Sequence, residues 1–399
     1  METKGYSPEQ LAKIVKGKLI QKASSQSIEH IVLDSRKLSY PEQSVFFALK
    51  GARRDGHQFI TELYKKGVRN FVVGQPMEAL MKEGDVEDPA TLSDANIIKV
   101  KDTVQALQLL AANHRNRYHI PVIGITGSNG KTIVKEWLHQ LLQPDYSIIR
   151  SPKSYNSQIG VPLSVWQMND LHELAIFEAG ISQPDEMENL QKIIQPTIGI
   201  FTNIGKAHGE GFLNIRQKIN EKLKLFIHAQ IIIFCRDYLD INMCLLNAKA
   251  QMKKADPEFD GLKTFSWSKE HLDADGQVTE IVKNNSFTSL KIEHGKETFS
   301  FSIPFIDDAS IENAIQCWML MRYLKTDPAV IAKRMLDLNR VAMRLELNDA
   351  INNCSLINDS YNSDLNSLGI ALDFLDQQKQ HAKKTLILSD ILESGVTDE

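Results

Sequence analysis

The stretch that decides the fold is Val122-Ile123-Gly124-Ile125-Thr126-Gly127-Ser128-Asn129-Gly130-Lys131-Thr132. An apolar run stops at a turn of small residues, Lys-Thr follows, and residues 133–142 carry a helical pattern. This predicts a strand, a loop that wraps a polyphosphate, and a helix start. Small residues let backbone N–H groups turn toward phosphate oxygens, and a helix N-terminus adds positive potential. Lys131 can reach the β- and γ-phosphates, and the Thr132 hydroxyl can sit on Mg²⁺. The strict pattern G-x-x-x-x-G-K-[ST] needs glycine where the chain has Ile125. The upstream glycine is Gly124, one place early. The strand–loop–helix context is nevertheless the one such a site requires.

The next two apolar runs extend the site. Residues 174–177 lead into Glu178-Ala179-Gly180, and residues 198–202 into Asn203-Ile204-Gly205-Lys206-Ala207-His208. A carboxylate at the end of a buried strand beside a phosphate loop is where Mg²⁺ or its waters are held. Parallel strands bring such ends to one sheet edge, so Thr132, Glu178 and His208 are expected to converge there. The helical pattern at 215–228 carries Lys218, Lys222 and Lys224, which alone read as a solvated face.

Around this core the chain divides into three. Residues 1–118 read as a small α/β unit with strands near 28–33, 45–49, 71–73 and 97–100. Two polar clusters stand at its strand ends: Asp34-Ser35-Arg36, and a Gly51–His57 loop that contains Asp55, Gly56 and His57. Ligand contact and plain turn chemistry both account for such clusters. Residues 119–340 form the phosphate-binding unit, with a hairpin at 287–304 and a helix at 311–324. Residues 341–399 hold a strand at 354–357, the segment Asn358-Asp359-Ser360-Tyr361-Asn362, a helix at 367–378 and a strand at 385–388. A doubly wound domain needs about 100 residues. The last segment is therefore expected to be incomplete, truncated or with its partner half encoded elsewhere.

Composition narrows the function. The length of 399 residues suits two to three domains. A net charge of −4 provides no basic field for nucleic acid. Cys235, Cys244, Cys317 and Cys354 show no metal-ligand spacing, and they suit free thiols in a reducing compartment. The N-terminus is neither a signal peptide nor a membrane span, and no long uncharged apolar run occurs. A cytoplasmic protein, monomeric, without nucleic-acid or membrane partners, is expected.

With these residues in place, the sequence resembles the Mur ligases of peptidoglycan synthesis. GITGSNGKT is the form of phosphate loop this family uses, with its first glycine early, and EAG at 178–180 and NIGKAH at 203–208 are similar to its two metal-site segments. DSR with FFALKGARRDGHQF, SYNSQIGVP, NDSYNSDLNS and LSDILESG are most similar to the branch that adds D-alanyl-D-alanine to UDP-N-acetylmuramoyl-tripeptide. The resemblance implies a three-domain α/β architecture. Its parts are a small N-terminal α/β domain for the UDP-substrate, a central parallel-sheet ATPase, and a Rossmann-like C-terminal domain, incomplete here. It implies amide formation through an acyl phosphate, with ATP and two Mg²⁺ ions, releasing ADP and phosphate.

The roles it implies follow the motifs. Gly127, Ser128, Asn129, Gly130, Lys131 and Thr132 would hold the ATP phosphates. Thr132, Glu178, His208 and Lys222 would hold metal, Lys222 as a carbamate; Lys131, Glu178, His208 and Lys222 would be catalytic. Asn313, Arg344, Asp359, Tyr361 and Asn362 would contact the nucleotide. Asp34, Ser35, Arg36, Asp55, Gly56, His57 and Asn156 would face the UDP-substrate. Ser154 and Ser157 stand where the family pattern has asparagine, and Ala309-Ser310 where it has His-Asn. The short third segment implies weak nucleotide binding and poor ligation by this chain alone. Other readings are another Mur or folylpolyglutamate-type ligase, or an inactive nucleotide-binding fragment of a longer enzyme, alanine-racemase fusions included.

Overall fold

A computed structural model describes residues 5–23, 26–51, 54–76, 92–205, 211–255, 261–342, 344, 346–351, 354–360, 365–378, 381 and 383–388. It separates into two compact units, Met1–Tyr118 with Gln158–Gln167, and His119–Ser157 with Met168–Glu399.

In the first unit the strands are β1 (Lys18–Gln21), β2 (His30–Val32), β3 (Ser44–Phe47), β4 (Asn70–Val73) and β5 (Asn96–Lys99), in the order β1-β5-β4-β3-β2. All pairs are parallel except β1 with β5. The β1 strand was not expected, since Lys18 and Gln21 interrupt its apolar pattern. Ser7 caps the helix Pro8–Ile14, with Pro8 in its first turn. That helix packs with Thr103–Arg115 on one face, around Leu11, Val45, Val72 and Leu107. The short helix Gly160–Val165 belongs to the same unit.

The second unit is built on β6 (Val122–Thr126), β7 (Ile148–Arg150), β8 (Leu174–Glu178), β9 (Ile198–Phe201), β10 (Ile231–Cys235), β11 (Lys263–Ser268), β12 (Gly276–Lys283), β13 (Thr288–His294) and β14 (Glu297–Ile303). Among the described residues they form one sheet in the order β14-β13-β12-β11-β10-β9-β6-β8-β7. The stretch from β7 to β12 is parallel. The β12-β13-β14 meander is antiparallel. Every residue of β6, β8, β9 and β10 is buried, as expected of strands covered on both faces. The helices Lys131–Leu142 and Asp308–Tyr323 share one core, with Trp137 and Phe305 stacked at 4.9 Å.

The chain leaves β6 to build β7 and β8 on one side, then crosses to β9 on the other. The carboxyl end of β6 is thus a switch point, where doubly wound sheets bind ligands. Three expectations need correction. The helix expected over 215–228 ends at Leu223 and tightens into a 3₁₀ turn, Lys224–Phe226. The strand expected at 385–388 is not one: the run is apolar, but no ladder is recorded there among the described residues. Ahead of it, where a single strand at 354–357 was expected, β15 (Glu346–Ala350) and β16 (Cys354–Asn358) pair as an antiparallel hairpin, followed by the helix Leu365–Gln377.

Candidate active site

The loop after β6 is fixed by backbone geometry that only glycine accepts cheaply. Gly130, the residue that opens the helix Lys131–Leu142, has φ 83°, and a Cβ there would lie 2.3 Å from Asn313 Oδ1. Gly127 has φ 143°. Gly124 has a different task. It sits inside β6, and a Cβ would lie 2.8 Å from Pro196 Cβ, so it permits close packing on the sheet. The apparent misplacement of the first glycine is therefore resolved: the turn is made by Gly127 and Gly130, and Gly124 belongs to the strand.

The end of β9 clamps the loop. Ser128 N donates to Asn203 O at 2.9 Å and Asn129 N to Asn203 Oδ1 at 2.9 Å. Gly205 N donates to Ser128 Oγ at 3.0 Å, and Thr202 Oγ1 to Asn129 O at 2.6 Å. Gln316 Nε2 in turn donates to the carbonyls of Phe201 and Thr202 at 3.2 and 3.3 Å. The first-turn N–H groups of any helix lack acceptors within it, which draws an anion to such an end.

Three oxygens meet at the helix start. Thr132 Oγ1 lies 3.0 Å from Glu178 Oε2 and 2.9 Å from Ser154 Oγ. Glu178 is fully buried at the end of β8. A carboxylate and two hydroxyls are the hard oxygen donors a Mg²⁺ ion takes, and Thr132 places them at the mouth of the phosphate loop. Asn156 packs behind this group: its carbonyl accepts from Gly180 N at 2.9 Å, and a Cβ on Gly180 would lie 3.0 Å from Asn156 Cγ.

Two ammonium groups converge on the Gly127 carbonyl. Lys131 Nζ donates to it at 3.0 Å and to Ser128 O at 2.9 Å, and Lys222 Nζ donates to it at 3.1 Å. Lys222 is 2% exposed. Burial, then the charges of Lys131 and Lys218, push its pKa well below the ordinary lysine value. The solvated face read from the helix lysines is thus wrong for Lys222, which is turned inward.

The other expected residues are distributed. Asn313 touches the loop at Gly130. Arg344 precedes β15 and Asp359 follows β16. His208, Tyr361 and Asn362 lie outside the described residues, as do parts of the NIGKAH, GARRDGH, NDSYNSDLNS and LSDILESG segments.

In the first unit, Arg36 forms a bidentate pair with Asp34 at 2.8 and 2.8 Å, which holds the Asp34 carboxyl well below the usual range. Ser35 contributes its carbonyl to Lys66 Nζ at 3.2 Å. Asp55 caps a 3₁₀ turn, and Gly56 N donates to Leu49 O at 2.8 Å. Burial pushes the Asp55 carboxyl up, but bonds from His57 and Lys50 outweigh it and hold it low. His57 is 1% exposed; its Nε2 accepts from Gly74 N at 3.0 Å, so Nδ1 carries the proton donated to Asp55 at 2.5 Å. The structure places this histidine inside the unit, as a brace for the loop.

Sequence reasoning missed the Ser154 hydroxyl beside Thr132, and it missed Gln316 and Lys135. Lys135 left a signal: it falls on the stripe of Leu138 and Leu142, where a lysine has no business unless paired.

Comparisons with known proteins agree with this geometry. The family model "Mur ligase middle domain" matches residues 125–321, and "Mur ligase family, catalytic domain" matches residues 27–115. The UDP-N-acetylmuramoyl-tripeptide--D-alanyl-D-alanine ligase of Bacillus subtilis (strain 168) is 30% identical over 390 residues, covering 98% of this chain and 79% of that one. The ligase of the same name from Borreliella burgdorferi is 28% identical, over 93% of this chain and 77% of that one. Among solved structures, MurF from Acinetobacter baumannii superimposes with a TM-score of 0.78 at 23% identity, over 95% of this chain and 78% of that one. MurF ligase from Thermotoga maritima in complex with ADP gives 0.69 at 23%, over 88% and 75%. At such identities these two establish a shared fold.

Proposed function

The chain belongs to the Mur ligase family, and from that premise we propose that it is an ATP-dependent ligase joining D-alanyl-D-alanine to UDP-N-acetylmuramoyl-tripeptide. The observation that carries the choice of substrates is the 30% identity to the Bacillus subtilis ligase of that name across 98% of this chain. Peptidoglycan precursor synthesis in the cytoplasm is the setting this reading gives. No helix among the described residues is long and apolar enough to cross a membrane.

The site's own residues support the chemistry. The loop from Gly127 to Lys131 and the helix start would cradle the phosphates, and Lys131, held on the Gly127 and Ser128 carbonyls, would turn to meet them. Thr132, Ser154 and Glu178 would hold one Mg²⁺; the second would fall to His208 and to Lys222. The ion supplies charge neutralisation on the transferring phosphoryl group. Burial, by lowering the Lys222 pKa, favours the neutral amine whose lone pair carbamylation by CO₂ requires, and the product would be a carboxylate ligand. Asn313, Arg344, Asp359, Tyr361 and Asn362 would bind the rest of the nucleotide. Asp34, Ser35, Arg36, Asp55, Gly56 and Asn156 would serve the UDP-substrate, with His57 behind them. Transfer of the ATP γ-phosphoryl group to the tripeptide's terminal carboxylate would give an acyl phosphate and ADP; attack by the dipeptide amine would then form the amide C–N bond, break the acyl C–O bond and release phosphate and a proton.

Phosphate release from ATP and Mg²⁺, with UDP-MurNAc-tripeptide and D-Ala-D-Ala omitted in turn, tests this. Release that requires both is expected. Release indifferent to the dipeptide sinks the ligase reading.

A further inference from the structure

We propose that Lys135 is a positioning residue that sets which oxygen of Glu178 is offered to the ion at Thr132; the inference rests on the metal site put forward above. Lys135 is one helical turn beyond Lys131, and its side chain is fully buried. Its ammonium donates to Ser151 O at 2.8 Å and to the Lys153 carbonyl, and it lies 3.4 Å from Glu178 Oε1 and 3.0 Å from Glu136 Oε1. Glu136 is also paired with Arg150 Nε at 3.0 Å, so the buried charge belongs to a four-member group, two of each sign.

The consequence is a division of labour within one carboxylate. Oε1 is held by Lys135 and Oε2 by Thr132 Oγ1. An ion at Thr132 therefore meets a single carboxylate oxygen. Lys135 also acts on the second hydroxyl of the site. Lys153 has φ 51°, a left-handed conformation that costs a non-glycine residue strain and persists only where the surroundings hold it. The carbonyl that Lys135 grips is that of Lys153, and the next residue is Ser154, whose Oγ lies 2.9 Å from Thr132 Oγ1. One ammonium thus fixes Glu178 and the turn that delivers Ser154. No contact to nucleotide or substrate is assigned to it.

Two titrations on the full chain separate this role from general support. Binding of Mn²⁺ with one equivalent of ADP, read by the loss of the free-ion EPR signal, reports the oxygen set. Binding of ADP in EDTA reports the loop alone. For Lys135→Met, a tenfold or greater loss of Mn²⁺ affinity is expected, with metal-free ADP affinity within twofold of the unaltered chain. Mn²⁺ affinity within twofold in the folded variant overturns the proposal, and so does an equal loss in both titrations. Where Lys135→Met does not fold, Lys135→Gln, which still donates to the carbonyls, is read by the same two criteria. Lys153→Gly adds a cycle: glycine takes φ 51° freely, so the double variant should recover at least threefold of the Mn²⁺ affinity lost in Lys135→Met. Strict additivity overturns the link through the turn. If the unaltered chain itself fails to bind Mn²⁺ with ADP, it is the metal-site reading that fails, not the assignment of Lys135.

Discussion

At the Gly127 carbonyl two cations compete for one acceptor, with Lys131 at 3.0 Å and Lys222 at 3.1 Å. The buried one gives way: burial and the neighbouring charges depress the Lys222 pKa. The folded chain then binds fewer protons than the unfolded chain between that depressed value and the ordinary lysine pKa. Stability contributed by this group therefore rises with pH across that window, and is lost as pH falls through it. Lys222→Met removes the penalty. Its urea midpoint at pH 7 is expected to equal or exceed that of the unaltered chain, with a flatter rise toward pH 9, measured in bicarbonate-free buffer. Ligation is expected to fall by roughly 10²-fold, the scale of losing a metal-site group. A lower midpoint together with full activity would contradict both the burial argument and the assigned role. None of this was legible in the sequence as residues alone. Lys218, Lys222 and Lys224 look alike there, and only packing shows which one faces inward.

Secondary-structure elements were legible to the degree that their own residues carry the pattern their surroundings demand. The runs VIGIT, LAIFE and IIIFC announce buried parallel strands because both faces need apolar cover. The β13–β14 hairpin announces itself by alternation around His294-Gly295. The apolar run at 385–388 misled, since an apolar tetrapeptide becomes a strand only where a ladder accepts it. The inward roles of Lys135 and His57 escaped because the partners that fix them, Ser151 and Glu178 for Lys135 and Gly74 for His57, lie 16, 43 and 17 residues away. The helix Asp308–Tyr323 shows the same long reach. Asn313 and Gln316 are one turn apart on it: Asn313 lies against Gly130, and Gln316 braces the end of β9, which clamps the loop. Gln316→Leu keeps the volume and removes both bonds, leaving two buried carbonyls short of donors. A cost of about 1–3 kcal/mol is expected for that. Because Thr202 also holds Asn129, ADP affinity should fall with it. Urea unfolding beside an ADP titration checks the pair of effects, and an ADP affinity unchanged in a destabilised variant would cut the helix off from the loop.

On the scale of the whole molecule, the two units are not consecutive pieces of chain. Gln158–Gln167 leaves the second unit's sequence between β7 and β8 and packs with the first unit. Nothing in the pattern of Gly160–Val165 names the unit it joins, since an amphipathic turn buries itself wherever an apolar face is offered. The anchor is Trp166. Its ring lies 5.7 Å from Tyr6 and 4.6 Å from His114, and its Nε1 donates to Glu29 O at 3.2 Å. Tyr6 in turn bridges to Ile28, so the indole ties both ends of the first unit's opening segment. Trp166→Ala is therefore expected to weaken the first unit although the residue comes from the middle of the second unit's sequence. Full truncation of a buried tryptophan costs about 3–5 kcal/mol, and the half-buried Trp166 should approach the lower end. Calorimetry of the full chain should show one transition moving down, with the ADP-stabilised transition of the second unit left within a degree or two. A fragment ending at Tyr118 should melt below the first unit of the intact chain for the same reason. Equal melting of that fragment and of the unit in the intact chain would mean that 158–167 rests on the first unit without supporting it.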